Sequence, residues 1–242
     1  MILLRCGNAS EWTGPTGNNT YLFAGSPSIL IDAGVGRPEH LAAIERALAG
    51  TQLDLVLITH DHTDHVAGVP ALRDRWPDVV VRGGPGEPLS DGEVFARGDS
   101  ASLVAVATPG HSPDHFCFLD PLARDVYCGD LVRLGGTVVI PASRGGDLVE
   151  YLASLQRVRE LRPARLLPAH GEVIEDPETV IDEYVAHRAA RERQVLSALA
   201  DGCVTVDEIV ARIYPGISDV LLPAASETVL AHLKKVRGGQ AP

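Results

Sequence analysis

The stretch Thr59-His60-Asp61-His62-Thr63-Asp64-His65 packs four ligand-type side chains, His60, His62, Asp64 and His65, into six residues. It follows Asp54-Leu55-Val56-Leu57-Ile58, an apolar, β-branched run that reads as a buried strand. His60 therefore falls where the chain leaves a sheet, which is where ligand sites form in α/β folds. His60 and His62, spaced by two, can point to one side of an extended turn, and Asp64 and His65 follow at a helix entrance. Imidazoles and carboxylates this dense would repel one another and lose solvation unless a cation compensated them. Asp61 faces away by the same period-two reasoning and is expected to bond the turn backbone.

Three more residues of the same kind follow apolar runs and sit beside glycine or proline. His111 lies in Thr108-Pro109-Gly110-His111-Ser112, Asp130 follows Val126-Tyr127-Cys128-Gly129, and His170 follows Leu166-Leu167-Pro168-Ala169. Imidazole nitrogen and carboxylate oxygen suit Zn²⁺ and also Fe or Mn, so the ligand types leave the metal open.

Away from these positions the chain reads as an ordinary globular protein of 242 residues, 45% hydrophobic and 22% charged. Strands are expected near 21–23, 28–32, 54–59, 79–81, 103–107, 116–119 and 125–128. Helices are expected at 39–48, 68–75 with Asp64 upstream as a cap, 147–161 opening at Asp147, and 177–199. After Asp201 the pattern changes to short helical pieces at 205–213, around 219–222, and at 224–236, a small module that is either helix-turn-helix-like or a plain cap on the core. The domains are thus expected at 1–200 and 201–242. Cys6, Cys117, Cys128 and Cys203 are widely spaced, mostly inside apolar runs, and read as reduced thiols. No stretch approaches the ~20 apolar residues that cross a bilayer, and the N-terminal run is too short for a signal segment, so the expectation is a soluble, cytoplasmic protein without a membrane partner. A net charge of −11 repels polyanions, so a nucleic-acid substrate would need a basic patch or a metal centre.

The H-x-H-x-D-H segment, followed in order by His111, Asp130 and His170, resembles the metallo-β-lactamase superfamily over about residues 15–200. The resemblance implies an α/β fold, the four-layer αβ/βα sandwich, here with a small C-terminal helical, winged-helix-like module. It implies two zinc ions: His60, His62 and His111 on the first, Asp64, His65 and His170 on the second, and Asp130 bridging both. Such a pair lowers the pKa of a bridging water and makes that water the nucleophile. Asp64 and His115 are the residues assigned to catalysis, with His115 orienting a ligand, donating a proton to the leaving group, or serving only as an ordinary histidine at a strand start.

Within the superfamily, Asn18-Asn19-Thr20-Tyr21-Leu22, the Thr-Pro-Gly-His segment and His187-Arg188-x-x-Arg191-Glu192 are most similar to the lactamase-like endoribonuclease branch, related to glyoxalase II. That likeness implies a hydrolase acting on an ester-type bond: a thioester, a lactone or a phosphodiester, single-stranded RNA included. The loop after Asp130 departs from the pattern of both branches. The alternatives are a mono-iron persulfide dioxygenase-like oxidoreductase and a non-catalytic metal-binding module. Two-fold association, a homodimer, is the oligomeric expectation.

Around the site, Asp32 either supports the metal loop or makes a turn before Gly34, and Asn18-Asn19 read as a turn. Arg133 and Arg144 flank a glycine-rich loop where a substrate anion could be clamped, or they are solvated charges. His187, Arg188, Arg191 and Arg193 read as a solvated helix face, with Arg188 pairing with Glu192.

Overall fold

The computed structural model describes residues 1–98 and 101–238. Among these residues, ten strands form two five-stranded sheets. In the first, β1 (Ile2–Arg5), β2 (Asn19–Phe23), β3 (Ile29–Ile31), β4 (Leu55–Leu57) and β5 (Val80–Arg82) lie in chain order, antiparallel up to β3 and parallel beyond it. The second holds β6 (Val94–Ala96), β7 (Ser102–Ala107), β8 (Phe116–Asp120), β9 (Asp125–Gly129) and β10 (Arg165–Pro168); only the β9–β10 pair is parallel. The helices are α1 (Pro38–Leu48), the single turn α2 (Thr63–Val66), α3 (Val69–Arg75), α4 (Leu148–Glu160), α5 (Pro177–Ala200), α6 (Val206–Ile213) and α7 (Leu222–Gly238).

The period-two alternation of the strands sorts their side chains into separate cores. Tyr21, Phe23, Ile29 and Ile31 point inward and meet Phe118, Tyr127 and Leu167 of the other sheet. The intervening Leu22 and Leu30 point outward onto Ile44, Leu48, Leu72 and Trp76 from α1, α3 and the residue after it. On the far side, Val126, Cys128 and Leu166 pack under Tyr151, Leu155, Ile181 and Tyr184 from α4 and α5. The result is the expected helix–sheet–sheet–helix sandwich.

A fourth cluster joins Val195 and Ala198 at the end of α5 to Ile209, Val210, Val229 and Leu233 of α6 and α7. Thr205 and Glu208 close a capping box at the start of α6. The piece expected around 219–222 is a turn leading into α7 rather than a helix of its own.

Asp147 caps α4, accepting from the N–H groups of Val149 and Glu150. Asp64, expected to cap the next helix, does not: the residue before α3 is Gly68, with no side-chain cap, and Asp64 turns into the ligand cluster instead. All four cysteines are free thiols. No helix among the described residues is long and apolar enough to cross a membrane.

Candidate metal centre

The two sheets are tied together at one edge by main-chain bonds, with Thr59 O accepting from Phe116 N–H (2.8 Å) and Ala169 O accepting from Asn19 N–H (2.7 Å). His60, His111, Asp130 and His170 all leave strands or their extensions at this edge. Two turns there depend on glycine. Gly110 has φ +127°, and a Cβ would lie 2.2 Å from the Tyr151 nitrogen; Gly129 has φ +49°, and a Cβ would lie 2.7 Å from His115 Nε2.

The ligand atoms of His60, His62, His111 and Asp130 all lie within 4.8 Å of one another, and those of Asp64, His65 and His170 form a second such group. Asp130 faces both: its Oδ2 is 3.6 Å from His111 Nε2, and its Oδ1 is 3.2 Å from His170 Nε2 and 3.6 Å from His65 Nε2. In the first group, His62 Nδ1 stands 2.9 Å from His60 Nε2 and 3.0 Å from His111 Nε2. Three ring nitrogens converging in this way cannot all be satisfied by sharing protons. In the second, His65 Nε2 and Asp130 Oδ1 are buried without a hydrogen-bond partner. Converging nitrogens and orphaned buried atoms fit bound cations, so the residues present suit the metal ions implied by the sequence.

The ring nitrogens facing away from the clusters are mostly anchored. His65 Nδ1 meets Asp32 Oδ2 at 2.8 Å, His111 Nδ1 meets the Val139 carbonyl at 2.8 Å, and His60 Nδ1 meets Thr59 Oγ1 at 3.1 Å. Such outer partners fix the tautomer that leaves the inner nitrogen free to ligate.

The two groups differ electrostatically. Burial holds His60 well below the ordinary histidine pKa and lowers His111 to about 4, so both are neutral, the ligating form. In the second group burial acts the same way but is outweighed: Asp32 and Asp130 raise His65 well above its usual value, and Asp130 raises His170 to about 9. Burial opposes ionisation of both carboxylates, yet His170 and His65 keep Asp130 well below the usual range, and a hydrogen bond from His170 leads the effects that bring Asp64 to about 2.

Asp32 supports the metal loop. Its carboxylate accepts from Thr59 N–H (2.8 Å) and Thr59 Oγ1 (3.0 Å) as well as from His65, in a left-handed backbone conformation at φ 60°. His115 lies behind the ligands: Nδ1 bonds Thr108 Oγ1 (2.8 Å) and Nε2 accepts from the Asp130 N–H (3.2 Å), while burial lowers its pKa to about 3. Asp61 is exposed, and its N–H donates to the Asp114 carboxylate at 2.9 Å.

Two expectations are corrected. Asn18 is more than a turn residue: it is buried, and its Nδ2 donates to Asp64 Oδ2 at 3.0 Å. Arg188 is no solvated partner of Glu192; it is buried, donating to the Val138 carbonyl at 2.6 Å, while Glu192 pairs with Lys235. Arg144 is exposed and close enough for its charge to depress the pKa of His62 behind the larger effect of burial. Arg133 bonds the Trp12 carbonyl at 3.2 Å.

The sequence pattern of the "Metallo-beta-lactamase superfamily" matches residues 13–97 and 80–170, and that of the "Beta-lactamase associated winged helix domain" matches 205–237. A protein of Aspergillus fumigatus named atrochrysone carboxyl ACP thioesterase is 34% identical over 93% of this chain, which spans 60% of that protein's length. The lactamase-like protein adaB of Aspergillus niger is 35% identical over 91% of this chain and 77% of its own. A metallo-beta-lactamase family protein from Thermus thermophilus shares the fold at a TM-score of 0.79 and 23% identity, over 99% of this chain and 94% of its own. On the match to more than half its length, together with these relatives, the chain belongs to the metallo-β-lactamase superfamily.

Proposed function

We propose that the chain is a two-metal hydrolase of ester-type bonds whose preferred substrate is an acyl thioester. The observation that carries this reading is the placement of Asp130, with one carboxylate oxygen toward each ligand group. His60, His62 and His111 would hold one ion, Asp64, His65 and His170 the other, and Asp130 would touch both; zinc is the proposed metal. Cations held there lower the pKa of water toward neutrality and polarise a carbonyl or phosphoryl oxygen.

The chain's own residues supply alignment and proton handling. Asn18 fixes Oδ2 of Asp64, whose side chain is 30% exposed and, with its pKa lowered to about 2, meets incoming water as an ionised hydrogen-bond acceptor. His115 is a positioning residue for Asp130, because its Nε2 is already engaged with the Asp130 amide. It therefore has no free proton for a leaving group. A thiolate departs near neutral pH without protonation, given a thiol pKa of about 8.5, whereas an alkoxide needs an acid. The relative named as a thioesterase points the same way, and the net charge of −11 disfavours RNA. Residues 1–200 are proposed as the catalytic unit and 201–242 as an appended module.

The test is a panel of thioesters, lactones, phosphodiesters and short RNA, run on protein of measured metal content. Thioesterase activity that a chelator abolishes and Zn²⁺ restores is expected. Metal-loaded protein that leaves every thioester intact would refute the substrate assignment.

A further inference from the structure

The loop between β9 and α4 carries Val139, whose carbonyl takes the Nδ1 proton of His111, and Arg144, whose charge reaches His62. Apart from a short turn at Ala142–Arg144, the segment from Leu131 to Gly146 has no regular structure. It is instead held by side chains from the helices behind it. Tyr151 Oη donates to the Leu131 carbonyl at 2.7 Å, Arg188 Nη2 to the Val138 carbonyl at 2.6 Å, and Lys234 Nζ to the Ala142 carbonyl at 2.5 Å. Glu227 accepts from the Ser143 N–H at 2.9 Å. Lys234 and Glu227 belong to α7, in the C-terminal module.

Arg188 is the unusual member of this set. It is 1% exposed, its Nε has no partner among the described residues, and its guanidinium sits over the Tyr151 ring at 5.3 Å. A cation buried on these terms is costly, and an apolar side chain of similar volume would pack there at lower cost. What the arginine alone supplies is a charged donor to the carbonyl adjacent to the one that orients His111.

We propose that Arg188 is a positioning residue for His111. By fixing the main chain at Val138 it holds the Val139 carbonyl against His111 Nδ1, so that Nε2 stays unprotonated and aimed at His62 and Asp130. Lys234 and Glu227 secure the following turn, which makes the C-terminal module part of the support of the metal centre. This inference rests on the metal assignment above, but not on the substrate.

The experiment measures zinc per chain against buffered free zinc, the visible absorption of the Co²⁺-loaded protein, and the thermal midpoint, for the wild type, Arg188→Met, Arg188→Lys, Lys234→Met and His111→Ala. Arg188→Met is expected to bind one of the two ions roughly 10–100-fold more weakly, the range for lost outer-shell partners, with an altered Co²⁺ spectrum and a fall in kcat rather than a rise in KM. Arg188→Lys, which keeps a charged donor, should recover most of the loss. A wild-type zinc titration and Co²⁺ spectrum in Arg188→Met would overturn the proposal, whatever happens to the thermal midpoint. Should Arg188→Met fail to fold, Arg188→Gln, which has neither the charge nor the reach of the guanidinium, takes its place, and unchanged zinc binding there overturns the proposal equally. His111→Ala separates the two levels: if it keeps both ions, the metal reading falls and takes this proposal with it, whereas if it loses one while Arg188→Met does not, only the positioning role falls.

Discussion

Asp32 accepts a hydrogen bond from Nδ1 of His65 across 2.8 Å, with both side chains buried. The same carboxylate receives the Thr59 N–H, so one side chain sets both the end of the β4 segment and the ring that follows it. Asn tolerates the left-handed backbone that Asp32 occupies, so Asp32→Asn changes the acceptor without straining the turn. An amide NH₂ facing His65 would favour the opposite tautomer and place a proton on Nε2. Zinc affinity is expected to drop about 10–100-fold, and a chelator competition titration measures it.

Ligand loss should be more severe. Asp64→Ala and His62→Ala remove a group from each cluster and are expected to cost more activity than the roughly 10–100-fold typical of outer partners. Metal analysis alongside the thioesterase assay checks this. Activity that persists in both variants would remove the assigned centre from the chemistry.

For His115→Ala the two readouts should separate. The ring bonds the Asp130 N–H and Thr108 but belongs to neither ligand group. Metal content is expected to stay near that of the wild type while kcat falls, because Asp130 loses its main-chain anchor. Full activity in this variant would show that the anchor is dispensable.

A buried histidine away from the clusters predicts a pH dependence of folding. Burial lowers the His40 pKa to about 4, from an ordinary value of about 6.5. The unfolded chain then binds the proton more readily, so this residue's contribution is intact above pH 6.5 and lost as pH falls toward 4, by about 3 kcal/mol in all. His40→Gln removes that penalty, so the stability gap between variant and wild type should narrow by about this amount between pH 6.5 and 4. Urea titrations at several pH values measure it, and parallel curves would contradict the assignment.

The site was legible in the sequence where chemistry and strand pattern coincide. His60, His111, Asp130 and His170 each follow an apolar run beside a turn residue, a signal independent of long-range packing. Asn18 was not legible, because two asparagines before a strand satisfy the local rules for a turn and only the fold brings Asn18 to Asp64. Arg188 was hidden for a similar reason: its i,i+4 spacing to Glu192 suggests a surface pair, whereas α4 and the loop after Asp130 bury it from both sides. Asp64 matched a helix cap by position alone. The expected strands omit β1, β6 and β10, which all lie at sheet edges; a short strand paired on one side only is less marked in sequence than the equally short interior strands β3 and β4.

No residue of the two ligand groups lies within a strand: β4 ends at Leu57 before His60, β7 at Ala107 before His111, β9 at Gly129 before Asp130, and β10 at Pro168 before His170. Scaffold and reactive surface are therefore separable by inheritance. The 131–146 segment is one such connection: changes in it reach His111 through the Val139 carbonyl while leaving the inter-sheet core, Tyr21, Phe118 and Tyr127 among it, untouched. A framework of this kind lets new reactivities be acquired one connecting segment at a time, without renegotiating how the protein folds.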